Sequence, residues 1–165
     1  MIKDIRILID GICEAHAMAL DGGRFAPKYS KELGRLITHC NEAVNYVAKR
    51  FGYHRFNKME SIDPFDAFLA NEQHTIMETD NKWIPVKMPE VQVLANQGAF
   101  VVASLSNEHG PGHVAIIRPG TAESSGSWGQ LAPKCLNIGS TVFIHKKASW
   151  AFRSVPLFFV LDRVK

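Results

Sequence analysis

Two residues offer a nucleophile and a base, and both stand where backbone geometry would make them useful. Cys40 lies in THCNEAVNYVAKRFG, where Ala43, Val44, Val47, Ala48 and Phe51 recur at helical spacing and Gly52 supplies a stop. The spacing predicts a helix from about Cys40 to Phe51, with the cysteine in its first turn. Unpaired backbone N–H groups and the positive end of the helix dipole favour a thiolate there, and a thiolate is a ready nucleophile. Cysteine is also among the residues most often buried, so its position alone fits packing equally well. His113 lies in HGPGHVAIIRPG, where a glycine-rich turn delivers it to the first position of an apolar strand. Alternation puts His113, Ala115 and Ile117 on one face of that strand. An imidazole that titrates near neutrality suits a general base, and a cysteine at a helix start gives it a proton to take.

Those residues must be positioned by a chain that changes character along its length. Ile5, Leu8, Ile9, Ile12, Cys13 and Ala19 recur at helical spacing up to the breaker at 21–23. The segment FAPKYSKELGRLITH reads as a loop with a short turn leading into the Cys40 helix. Asp63 followed by Pro64 predicts a further helix over 63–77, and MPEVQVLANQG predicts another, ended by Gly98. Beyond it AFVVASL, GHVAIIRP, STVFIHK and PLFFVLDRV are β-branched or aromatic runs separated by loops, the pattern of consecutive antiparallel strands. Helices followed by a meander predict an α+β fold.

Composition bounds the rest. The 165 residues, 46% hydrophobic and 21% charged, suit one globular domain with a sizeable core. The N-terminal apolar residues are interrupted by Asp4, Arg6, Asp10 and Glu14, unlike a cleavable leader, and no apolar run reaches membrane-spanning length. Synthesis in the cytoplasm without a signal peptide is therefore expected. The three cysteines, Cys13, Cys40 and Cys135, are an odd number without CxxC spacing, so neither a disulfide framework nor a zinc knuckle is indicated. Cys13 and His16 have a ligand-like interval but no second pair, so no metal is expected. The net charge of +3 is spread along the chain, which suits weak attraction to an anionic polymer better than dedicated nucleic-acid binding. Trp83, Trp128 and Trp150 are candidates to line a groove for sugar or peptide, with core packing the competing role. Glu108 and His109, just before His113, either shape that groove or face water.

Taken together, THCNEAVNYVAKRFG, ANQGAFVVASLSNEHGPGHVAIIRPG and PKCLNIG resemble the papain-like cysteine peptidases and amidases of the CHAP and NlpC type, bacterial cell-wall hydrolases. The resemblance runs from about residue 36 to the C-terminus and leaves out the N-terminal helix. The Asp-Cys of the NlpC type is His39-Cys40-Asn41 here and its second histidine is not evident, which places the likeness nearer CHAP. It implies a papain-like fold with N-terminal helices packed on a C-terminal antiparallel sheet, one domain over 1–165, and no cofactor. It implies Cys40 as nucleophile, His113 as base, and a third residue that accepts the Nδ1–H of His113. Asn137 is the first choice, since the family uses Asn, Asp or Glu on the strand after the histidine; Gln130 is the second. A plain turn role before Gly139 is equally open to Asn137. His39, Gln130 and Trp128 would contribute to the substrate cleft.

The implied substrate is an amide bond of peptidoglycan, cut by a stem-peptide endopeptidase or an N-acetylmuramoyl-L-alanine amidase. Without a leader, such an enzyme would be a phage lysin or an injected antibacterial effector, the latter with a secretion or immunity partner. Neither nucleic acid nor membrane is an expected partner. Two other readings stand beside this one: a non-catalytic binding or immunity-type protein on the same fold, and a cytoplasmic cysteine peptidase acting on proteins or small amides.

Overall fold

The computed structural model describes residues 1–163. In chain order the elements are α1 (Ile5–Met18), β1 (Lys28–Ser30), β2 (Arg35–Ile37), α2 (Cys40–Arg50), α3 (Ala70–Thr79), β3 (Trp83–Val86) and α4 (Glu90–Asn96). There follow β4 (Val101–Leu105), β5 (His113–Ile117), β6 (Glu123–Ser125), β7 (Gln130–Ala132), β8 (Lys134–Ile138), β9 (Val142–Lys147), a 3₁₀ turn (Ala148–Trp150) and β10 (Leu157–Leu161). The class is α+β, as the periodicities predict.

One six-stranded sheet in the order β3-β10-β4-β5-β8-β9, antiparallel at every pairing, organises the molecule. Its strands alternate between two apolar layers. Val102, Val114, Ile116, Leu136 and Ile138 face a core built with α1, α2 and α3. Ala103, Ala115, Ile117 and Cys135 face a second core with α4, Trp128 and Phe152. Helices therefore cover both faces, α1, α2 and α3 on one and α4 on the other. The reason is the period of two: β4, β5 and β8 are apolar on both sides, and each side needs a cover.

Local rules account for most element ends. Asp4 Oδ1 accepts from the backbone N–H groups of Arg6 and Ile7 at 3.1 Å, a cap contributing about 1 kcal/mol to α1. Gly11 lets α1 approach α2, where a side chain would press on Val47. Gly98 closes α4 with φ +87°, and a Cβ there would meet the backbone at Ile5.

Several boundaries differ from expectation. The helix expected over 63–77 starts only at Ala70. Asp63 caps a turn instead, its Oδ1 accepting from the Phe65 N–H at 2.8 Å, while Phe65 sets its ring edge-on to Phe25. Lys58 N–H to Asp66 O and Phe68 N–H to Phe56 O then hold the intervening chain in a loop. The loop before Cys40 contains the β1–β2 hairpin, and β3 adds a strand among the helices. β10 does not extend the meander: it crosses to lie between β3 and β4. Val164, the last residue of PLFFVLDRV, lies outside the described residues. Among the described residues no helix is long and apolar enough to cross a membrane.

Candidate active site

The first two helical turns of α2 pack Cys40, Ala43 and Val44 onto the sheet, and this places the cysteine over the start of β5. Its thiol is buried in an apolar cleft with Val44, Val114, Ile116, Leu136 and Ile138. Burial pushes the thiol above its ordinary range; the backbone N–H groups of Val114, Asn41 and Cys40 itself pull the other way, and Glu42 adds to the rise. The thiolate expected from the helix end is therefore corrected: desolvation outweighs the N–H groups, and the resting group is a thiol.

β5 begins at His113, and its neighbour across the sheet is β8, which carries Asn137. His113 Nε2 lies 2.6 Å from Asn137 Oδ1. The amide is oriented by its other end, because Asn137 Nδ2 donates to the Thr141 carbonyl at 2.8 Å and a carbonyl can only accept. Oδ1 must then face the ring, so Nε2 carries the hydrogen and Nδ1 is left as the bare base. The partner of Asn137 is thus Nε2 and not the Nδ1–H expected from the sequence. Phe152 covers the ring at 4.9 Å between centroids, and burial holds the imidazole below its ordinary value while the Asn137 bond pulls upward. Near neutrality the ring is unprotonated, as a base must be.

A cavity of about 220 Å³ opens beside this pair, lined by Thr38, His113, Asn137, Ser140, Thr141 and Trp150. Thr38 precedes Cys40 by two residues, and the N–H directed at the Cys40 sulfur belongs to Val114, next to His113. The structure therefore gathers His113 and Asn137 directly and sets the Cys40 backbone beside them. No hydrogen bond joins the Cys40 thiol to the ring among the described residues; the sulfur sits on the Val114 side of the sheet.

No protein-family model matches the chain, and no curated protein matches it in sequence.

The remaining candidates scatter. His39 is the N-cap of α2 without bonding its backbone; its Nδ1 lies 3.3 Å from Glu42 Oε1, which ties it to the helix surface. Gln130 is exposed on β7 and lines a different groove with Pro85, Met88 and Leu157, so it is not a third catalytic residue. Trp128 is buried and donates Nε1–H to Phe152 O at 3.0 Å; it anchors the residue that covers His113 and stands behind the cavity wall, not on it. Trp150 is the tryptophan at the cavity. Cys135 is buried on the second core face, where burial raises its thiol, and Cys13 is exposed on α1. Among the described residues no group of three or more His, Cys, Asp or Glu side chains is gathered for a metal ion.

Sequence reasoning missed Asn71. Its Nδ2 donates to the carbonyls of Asn107 and Gly110 at 2.9 and 3.0 Å, and its Oδ1 accepts from Asn107 N–H at 2.9 Å. This clamp holds the loop that delivers His113, and Gly112 is required beneath it because a Cβ would collide with Asn71 Oδ1. The residue sits 36 positions or more from its partners, beyond any local pattern. A second imidazole–hydroxyl pair, His74 Nδ1 and Ser104 Oγ at 2.6 Å, is buried, with half-exposed Glu78 Oε1 3.5 Å from His74 Nε2.

Proposed function

We propose that the protein is a cysteine amide hydrolase with a papain-like arrangement, acting on peptidoglycan through Cys40, His113 and Asn137. The observation that carries this reading is the oriented imidazole: an unprotonated ring whose hydrogen is held on Nε2 by Asn137 and whose Nδ1 makes no hydrogen bond among the described residues. A plain turn asparagine has no need of that bond.

The chemistry follows from the protonation states. For reaction the thiol has to leave its apolar cleft and reach Nδ1 around the end of β5. The sulfur attacks the substrate carbonyl as its proton passes to Nδ1, and the Cys40 backbone N–H stabilises the oxyanion. Nδ1–H then protonates the departing amine as the C–N bond breaks, leaving a thioester. Water, giving a proton to Nδ1, attacks the thioester and releases the carboxylate while the sulfur regains its hydrogen. Throughout, the Asn137 amide favours the imidazolium that forms. The net charge of +3 suits an anionic wall polymer.

The buried thiol favours a second reading, a binding protein of the same architecture in which Cys40 is a packing residue. Incubation with purified peptidoglycan, followed by mass analysis of the fragments, separates the two. New amine and carboxyl ends that vanish in Cys40→Ser and in His113→Ala, with both variants folded, are expected of the hydrolase. Intact glycan with the parent protein overturns peptidoglycan hydrolysis, and turnover that survives Cys40→Ser overturns the nucleophile. Cleavage confined to protein or small-amide substrates would point to the cytoplasmic peptidase.

A further inference from the structure

We propose that Trp150 and Lys146 form a docking site for a ring-bearing, carboxylate-bearing part of the substrate at the mouth of the His113 cavity. The substrate class rests on the hydrolase reading; the site itself rests on the following placement. Trp83 and Trp128 are buried in the two cores, whereas Trp150 is 66% exposed. A large ring left in water forgoes the burial that stabilises its neighbours, and here it stands on the wall of the cavity that holds His113 and Asn137.

Its position is built. The 3₁₀ turn Ala148–Trp150 is tied to the sheet by Ala148 N–H to Pro133 O at 2.7 Å, and just after it Phe152 covers the His113 ring. Trp128 Nε1–H holds Phe152 O from below. One strap therefore fixes both the cover of the base and the indole at the rim. Lys146, at the exposed edge strand β9, sets its ammonium 5.2 Å from the Trp150 ring centroid and 5.9 Å from that of Phe143. This cation–π contact steadies the indole, and the exposed lysine keeps its ammonium in solvent beside the tryptophan that lines the cavity.

The cavity wall adds hydroxyls from Thr38, Ser140 and Thr141 and, among the described residues, no carboxylate. A flat apolar ring, a neighbouring cation and a rim of hydroxyls match a ligand with a stackable sugar face, hydroxyl groups and a free carboxylate. A peptidoglycan sugar–peptide fragment has all three, and a plain peptide lacks the sugar face.

The test uses the full chain carrying Cys40→Ala, so that ligand is bound and not turned over, with a soluble disaccharide–tetrapeptide as probe and its carboxyl-amidated form as control. Binding is followed through the three indole Nε1–H signals, one per tryptophan. The expected result is a shift confined to the Trp150 signal, with affinity about tenfold weaker in Trp150→Ala and partly restored in Trp150→Phe. Lys146→Glu should weaken the acid probe about threefold or more and abolish its advantage over the amidated control. An unmoved Trp150 signal, no binding at all, or variants that bind like the parent would each overturn the proposal. Turnover assays of the otherwise unaltered chain keep the two readings apart. Fragments that dock as described yet remain uncut would sink the hydrolase reading alone. Fragments that are cut with a KM indifferent to Trp150→Ala would sink the docking site alone.

Discussion

Asn137→Ala is the most direct probe of the site, because the amide makes two hydrogen bonds whose geometry determines the state of His113. The change removes Nε2–H···Oδ1 at 2.6 Å and Nδ2–H···O of Thr141 at 2.8 Å. Each bond contributes about 1 kcal/mol net, and a partner left unpaired in the interior costs about 1–3 kcal/mol. Asn137 is only 4% exposed, but the adjoining cavity of about 220 Å³ can admit water to the abandoned groups. The expected loss is therefore near the low end, about 2 kcal/mol, or roughly 4–8 °C in Tm for a chain of this size. The sign of the pH dependence follows from burial. The folded ring titrates below its unfolded value of 6.5, so the stability it contributes is present above that pH and is lost as acidification protonates the unfolded chain. Asn137 favours the imidazolium, so its removal moves the folded titration lower still and the deficit persists or widens toward acid. Activity should fall more steeply than stability, by about a hundredfold in kcat, because the ring no longer keeps its hydrogen on Nε2. Urea unfolding across pH gives the stability, and imidazole ¹⁵N shifts report the tautomer. An Asn137→Ala protein of parental Tm that still keeps the hydrogen on Nε2 would refute the reasoning.

Two further outcomes follow from burial and from the loop clamp. Alkylation with iodoacetamide, read residue by residue by peptide mass, should label exposed Cys13 first, and Cys40 should gain reactivity only at a pH above the ordinary thiol range, with Cys135 last; Cys40 labelling faster than Cys13 near neutrality would contradict the desolvated thiol. Asn71→Ala should release the loop before His113, costing about 1–3 kcal/mol and speeding hydrogen exchange at the Asn107 amide at least tenfold; unchanged protection there would show that the loop is held by other contacts.

The parts of this molecule that sequence reading captures are those governed by local periodicity. The helical spacing from Cys40 and the β-branched runs at 101–105, 113–117, 142–147 and 157–161 each mark an element close to its observed ends. What escapes is set by distant partners. β3, whose Pro85 argues against a strand, becomes one because Phe158, Phe159, Val160 and Leu161 pair with it from the other end of the chain. Asp63-Pro64 has the chemistry of a helix start, yet the ring of Phe65 is drawn to Phe25 and the helix is deferred. At the site, Asn137 was legible through its place after the histidine strand, whereas the nitrogen it engages was not. Thr141 decides only that this nitrogen donates, because its carbonyl holds Nδ2 and turns Oδ1 toward the ring. Trp128 and Trp150 could not be ranked from sequence, since which indole stays in water depends on the 3₁₀ turn that follows β9.

The alternation of β5 places a geometric condition on any chemistry between Cys40 and His113. Adjacent residues of a strand project from opposite faces, and Val114 is the residue that meets the Cys40 sulfur. His113 consequently belongs with Ala115 and the Phe152 side, across the sheet from the cleft where the thiol rests. Had the histidine stood at position 115, the backbone of the sheet would separate the two groups. At the first position of the strand the sheet has an end, and a side chain can be met around it. Glycine flanks that end on both sides: Gly112 precedes the histidine, and Gly139 follows β8 where a Cβ would stand 3.3 Å from the ring carbon Cε1. To meet Nδ1, the nitrogen that Asn137 does not hold, the thiol would have to leave its cleft and pass around this end. The neutral thiol and neutral imidazole imposed by burial suit such a path, since neither carries a charge through the apolar layer and the proton moves only when the carbonyl is there to receive the sulfur.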